Sequence, residues 1–185
     1  MKKVYLTLIA LLAVISASAQ GWPANYKGVM LQGFSWNAYD YAQWKTLEAQ
    51  APEMKGFIDL VWVPQSGKCA ETVQVMGYKP YYYFNHNSSF GTEDELRSMI
   101  KTFKNNGIGT IADVVINHRN TEGWFTFPAE TYQGVTYQML PTDICKNDDG
   151  GKTLAQAQKE RVSLSSNNDE GDDFGDCRDL DHKSA

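Results

Sequence analysis

The sequence predicts an α/β fold built on parallel strands, and three observations support that class. The segment Ile108–Ile116 is largely apolar, as expected of a strand covered on both faces of a parallel sheet. Two helical patterns alternate with this segment and two earlier ones like it, giving the order strand-helix-strand-helix-strand. Asp113, Asn117 and His118 stand within or just after the last run, where its strand emerges. In such folds the carboxyl ends of the strands collect ligands and catalytic groups.

Each element has its own signal. Gly28–Phe34 reads as the first strand. A helix follows from about Tyr39 to Met54, with Trp44, Leu47 and Ala51 at helical spacing, and Gly56 ends it. Phe57–Val63 is the second strand, stopped by Pro64, and a long loop then runs to Gly91. Thr92 with Glu95 three residues on forms a capping box for the next helix. Its apolar positions Leu96, Met99, Ile100 and Phe103 mark one face, and Asn106-Gly107 closes it. The third strand, Ile108–Ile116, comes at once, so right-handed crossovers join the strands. After His118 the periodicity stops. Residues 119–185 read as a long insertion with few regular elements, apart from short strands around Gly134 to Leu140. Three parallel strands leave an open edge, so the expectation is the N-terminal part of a larger domain.

Lys2 and Lys3 precede an apolar stretch from Val4 to about Ile15, and Ser16-Ala17-Ser18-Ala19-Gln20 follows. This is the pattern of a cleaved leader at residues 1–19, implying export to the periplasm or beyond the cell. The stretch is too short for a comfortable membrane span, and no Cys follows it to carry a lipid, so no membrane anchor is expected. Without Lys2 and Lys3 the formal charge moves from -5 to -7. That balance argues against nucleic acid or an anionic membrane as partner, since both need clustered basic groups. Half the acidic residues, 11 of 22, lie between Asp143 and Asp181. Such a run is either a solvated segment or an oxygen-rich site for a hard cation. Cys69, Cys145 and Cys177 show neither a disulfide framework nor zinc spacing; one pair could form, leaving an odd thiol.

Four stretches in order resemble the α-amylases of glycoside hydrolase family 13, particularly the plant-like type. They are Gly33-Phe34-Ser35-Trp36; Trp62-Val63-Pro64 with Gly77-Tyr78-Lys79-Pro80; Asp113 to His118, as D-x-x-x-N-H; and Asp179-Leu180-Asp181-His182 preceded by Asp173-Phe174-Gly175. The resemblance implies strands one to three of a (β/α)8 TIM barrel over residues 20–118. It implies an inserted domain B over residues 119–185, and the rest of the barrel outside this sequence. The implied reaction is retaining endo-hydrolysis of α-1,4-glucosidic bonds in starch or related α-glucans. It uses a nucleophilic carboxylate, a carboxylic acid that also serves as base, and a third carboxylate, at the ends of strands four, five and seven. None of these is expected here, so the 185 residues alone are expected to be inactive. An α-glucan-binding protein without the chemistry, and a transglycosylase or α-1,6-specific enzyme, are the alternatives on this scaffold.

The resemblance also implies residue roles. Tyr78 would stack on a glucose face, His118 would donate a hydrogen bond to a sugar hydroxyl, and Asp113 would orient neighbouring groups without itself reacting. Ca²⁺ would take an amide oxygen from Asn117 and carboxylates from Asp169 and Asp179, with backbone carbonyls such as that of Asp172. Further ions would recruit Asp148 and Asp173 and the backbone of Phe174 and Cys177. Two stretches depart from the plant pattern: Tyr81-Tyr82-Tyr83-Phe84-Asn85, and the Gln- and Lys-containing segment from Lys152 to Leu164.

Overall fold

The computed structural model describes residues 26–71, 74–171 and 173–183. The expected leader and the backbone of Asp172 lie outside them. Three parallel strands form one sheet in the order β1-β2-β3: β1 (Met30–Gln32), β2 (Leu60–Val63) and β3 (Gly109–Ala112). Helix α1 (Trp44–Met54) links the first two, and α2 (Glu93–Asn105) links the second to the third. A short 3₁₀ turn, Ala38–Asp40, precedes α1. This is the expected βαβαβ order, with shorter strands.

The third strand is corrected most. It ends at Ala112, and Val114 and Ile116 are 65% and 58% exposed rather than covered on both faces. The partner explains the stop. Val63 pairs with Ala112, the Asp113 amide reaches back to the Val63 carbonyl at 3.3 Å, and then Pro64 ends the ladder because it has no N–H to donate.

One core lies between the sheet and the two helices. It contains Trp44, Leu47, Ala51, Val61, Val63, Phe90, Met99 and Phe103. Trp44 is wholly buried with its ring centroid 5.2 Å from that of Phe90. Gly33 follows β1 where α1 and β2 converge. A Cβ there would stand 2.8 Å from Val61 Cγ1, so the close approach of chain to strand requires glycine. Helix α2 starts as predicted: Thr92 Oγ1 accepts from the Glu95 amide at 3.3 Å, and Glu95 Oε2 accepts from the Thr92 amide at 2.8 Å. Glu48 on α1 accepts from Ser98 and Thr102 on α2, pinning the helices together.

Beyond β3 lie four short strands and a third helix. They are β4 (His118–Arg119), β5 (Glu130–Tyr132), β6 (Val135–Tyr137), α3 (Lys152–Glu160) and β7 (Arg178–Asp179). β5 and β6 form an antiparallel hairpin beside the expected position, and β4 pairs antiparallel with β7. Helix α3 was not expected. It buries Thr153 and Ala157, small residues that leave a weak apolar signature. A second, smaller core holds Phe125, Phe127, Ile144, Ala157 and Leu180.

Replacing Thr92 by Ala removes half of the capping box. The polypeptide is expected to lose about 1 kcal/mol of stability, read as a lower denaturation midpoint with an unchanged slope.

Candidate functional site

The site is organised by the two-residue pairing of β4 with β7. In register, His118 faces Asp179 and Arg119 faces Arg178. All four are buried. Each arginine has a carboxylate. Arg119 Nη2 stands 2.9 Å from Glu130 Oε1, and Arg178 Nη1 stands 2.7 Å from Asp148 Oδ2. The guanidinium of Arg119 also donates to the carbonyls of Tyr81 and Pro128. Glu130 in turn accepts from the amides of Tyr83 and Phe84, both at 2.7 Å. The loop after β2 is thereby clasped to the β5–β6 hairpin. Tyr83 and Phe127 flank the Arg119 guanidinium at 4.9 and 5.8 Å.

That loop presents Tyr78. Its hydroxyl donates to Asp113 Oδ2 at 3.3 Å, just past β3. Burial, then the Asp113 charge, pushes the phenol up to about 12, so it remains a donor at neutral pH. The Trp36 ring runs parallel to it, with centroids 6.1 Å apart and 10° between planes. Both rings line a cavity of about 330 Å³ with Tyr39, Cys69, Lys79 and Phe174. Trp36 is 73% exposed, and sequence reasoning gave it no role of its own. Its place in the Gly33-Phe34-Ser35-Trp36 stretch, after β1, was the available signal.

His118 touches two residues of this cavity's lining, Tyr78 and Phe174. Its Nε2 donates to the Tyr78 carbonyl at 2.8 Å, which fixes the proton on that nitrogen. Phe174 stacks on the imidazole at 3.9 Å and 9°. Nδ1 is buried without a hydrogen-bond partner, and burial lowers the ring's pKa, which favours the neutral imidazole. Tyr78, Asp113 and His118 are therefore brought together, with the imidazole donor engaged by the Tyr78 backbone.

The residues expected to hold a cation also gather, with one difference. Asn117 Nδ2 lies 3.4 Å from Asp179 Oδ1. Burial first, then the charges of Asp148, Asp169 and Asp173, pushes the Asp179 carboxyl up to about 7. Crowded carboxylates with too little positive charge behave this way. Asp169 is anchored through its backbone, its amide donating to Asn147 Oδ1 at 2.7 Å. Asp148 differs from the expectation of a ligand to a further ion. One of its oxygens takes Arg178 and the Thr153 hydroxyl, and the other takes the Asp179 amide at 2.8 Å. Among the described residues, no three acidic, histidine or cysteine side chains form a ready-made metal cage.

These βα units correspond to the opening part of a (β/α)8 barrel. Residues 58–139 match the family described as alpha amylase, catalytic domain. Over that segment the chain is similar to the α-amylases among the glycoside hydrolases. It is 30% identical over 92 residues to probable alpha-amylase 2 of Arabidopsis thaliana, which covers 49% of this chain and 22% of that protein. It is also 30% identical over 125 residues to the alpha-amylase of Bacillus licheniformis, covering 62% and 24% respectively. The chain thus spans less than a quarter of the length of these two relatives. Among solved structures, an E249Q variant of alpha-amylase I from Eisenia fetida, in complex with maltohexaose, is similar in fold. Its TM-score is 0.55 at 18% identity, covering 88% of this chain and 34% of that one.

Truncating Glu130 to Ala strands the buried Arg119 guanidinium and frees the amides of Tyr83 and Phe84. The expected loss is about 3–5 kcal/mol of stability, measured by chemical denaturation. A change below about 1 kcal/mol would mean that the pair does not hold the loop.

Proposed function

We propose that this chain supplies the aromatic wall and part of the cation-binding lobe of an α-amylase-type enzyme. The enzyme would hydrolyse internal α-1,4-glucosidic bonds with retention. The observation that carries this reading is the grouping of Tyr78, Asp113 and His118 at the carboxyl ends of β2 and β3. Trp36 lies parallel to Tyr78 beside them. A glucose ring has apolar faces of C–H groups, and flat half-exposed aromatic rings bind such faces at small entropy cost. Asp113 accepts the Tyr78 hydroxyl and so holds the ring at a fixed tilt. His118, fixed in one tautomer, is suited to donate to a sugar hydroxyl once Nε2 leaves the Tyr78 carbonyl. The three reacting carboxylates of the retaining mechanism are assigned to none of the described residues.

Residues 119–185 act in this proposal as domain B, tied to the barrel by calcium. The donor set fits a hard cation: the amide of Asn117, the carboxylates of Asp169 and Asp179, with Asp173 beside them, all oxygen ligands once the Asn117 amide presents its oxygen. The raised pKa of Asp179 supports the fit, because a divalent ion would offset the burial cost and the neighbouring negative charges that favour a proton there. Calcium would supply positive charge that holds the lobe. Asp148 stays with Arg178. Export through the leader at residues 1–19 completes the proposal.

Two measurements test it. Tyr78→Ala is expected to weaken maltohexaose binding to the polypeptide about tenfold, or about 1.4 kcal/mol, by titration calorimetry. The 185-residue chain is expected to release no reducing sugar from soluble starch. Binding unaffected by the substitution would remove the stacking role, and turnover by the chain would remove the assignment of the chemistry elsewhere.

Calcium is expected to raise the unfolding midpoint in proportion to the logarithm of its concentration. At a hundredfold excess over Kd this amounts to about 2.7 kcal/mol. Asp179→Asn is expected to abolish that dependence, and an equal calcium response in the variant would rule out the site.

A further inference from the structure

The three cysteines are free thiols, all buried, and no step of the proposed reaction uses them. Two of them sit on segments that meet. Cys69 sits in the loop after β2, where it forms a β-bridge with Pro80 and lines the cavity beside Tyr78, Lys79 and Phe174. Cys177 lies at the other end of the sequence, one residue before β7, with its amide donating to the Phe174 carbonyl at 3.0 Å.

Two contacts hold these segments side by side. Lys79 Nζ, next to the Cys69–Pro80 bridge, stands 2.7 Å from Asp176 Oδ2, next to Cys177. Phe174 stacks at 3.9 Å on the His118 ring, whose Nε2 is bound to the Tyr78 carbonyl. Residues 78–80 are thus strapped to residues 174–177 twice, with one cysteine attached to each side. Burial pushes both thiols up, Cys69 to about 11 and Cys177 to about 12; the Lys79 ammonium acts on both in the opposite direction, and the Cys69 sulfur lies close enough to act on Cys177. Cys145 is held elsewhere. Its amide donates to the Asp179 carbonyl, and Asp169, Asp181, Asp179 and Asp148 are the charges around it.

We infer that Cys69 and Cys177 are a disulfide-forming pair that locks the loop after β2 to the segment carrying Phe174 when a disulfide oxidant is present. The co-reactant is a small disulfide such as oxidised glutathione, which reaches Cys69 through the cavity. The Cys69 thiolate attacks one sulfur of the oxidant, forming a mixed disulfide and expelling one glutathione thiolate. The Cys177 thiolate then attacks the Cys69 sulfur, and the second glutathione leaves. Two protein thiols are oxidised and one small disulfide is reduced to two thiols, which carry off the two protons.

The lock has a geometric limit that makes it testable. Cα atoms further apart than about 7 Å cannot be bridged without backbone movement. The experiment equilibrates the unmodified chain with oxidised glutathione, quenches it in acid, and titrates free thiols in denaturant before non-reducing peptide mapping. Three thiols per chain are expected before treatment and one after it, with Cys69 and Cys177 in one cross-linked peptide pair and Cys145 still reduced. The Cys145→Ser variant is expected to cross-link as fast as the unmodified chain. Three thiols remaining at equilibrium would overturn the inference. So would cross-links that involve Cys145, or stable glutathione adducts on Cys69 that never resolve. None of these readouts depends on glucan hydrolysis or calcium, so the pair stands or falls apart from the proposed function.

Discussion

Two guanidinium groups facing each other across a two-residue bridge govern this molecule's second half. Arg119 and Arg178 are register partners on β4 and β7, and both are buried. Like charges directly opposite on adjacent strands repel, and each buried ion costs several kcal/mol in lost hydration unless it is paired. Glu130 and Asp148 offset both penalties, one for each arginine. Neither carboxylate can be exchanged for a neutral group without leaving a charge stranded. The lobe therefore closes only when its hairpin and the turn before α3 arrive with their acids.

This constraint reaches the cleft through backbone hydrogen bonds. Glu130 also accepts from the amides of Tyr83 and Phe84, and Arg119 donates to the Tyr81 carbonyl. The run Tyr81-Tyr82-Tyr83-Phe84 is thus held by the same pair that neutralises β4, and Tyr78 is carried by the same loop. On the other strand Asp148 accepts from the Asp179 amide while pairing with Arg178. His118 and Asp179, the second register pair, consequently stand in fixed relation to one another. The aromatic cleft and the acidic group share one support.

The sequence made the first half legible because local signals and tertiary structure agree there. Thr92 and Glu95 announce a capping box, and both of its hydrogen bonds form. Trp44, Leu47 and Ala51 announce a buried helical stripe, and all three are buried. Strand length failed where the deciding fact lay in a neighbour. The run to Ile116 looks uniform, but the ladder stops opposite Pro64, about 50 residues earlier in the chain. The grouping of Tyr78, Asp113 and His118 followed from motif order. The covering of His118 by Phe174 did not, because stacking between residues that far apart leaves no local pattern. The ion pairs were hidden for a similar reason. Asp148 and Arg178 belong to a charged stretch, and composition alone does not say which charges are buried.

The balance between the two cores explains why the lobe depends so heavily on polar chemistry. Between the sheet and helices, Trp44, Phe90, Met99 and Phe103 are fully buried, and apolar burial suffices to order that unit. The second core rests on Phe125, Phe127, Ile144, Ala157 and Leu180, a small apolar area for so long a segment. A segment short of apolar surface needs another source of order, and a bound metal ion is one usual substitute. Here two ion pairs take up Glu130 and Asp148, while Asp179, beside Asn117, stays within reach of the charges of Asp169 and Asp173. Burial first, and then the neighbouring charges, disfavour the ionised form of Asp179. A divalent cation would offset both, which gives the proposed calcium a reason rooted in this chain's own energetics.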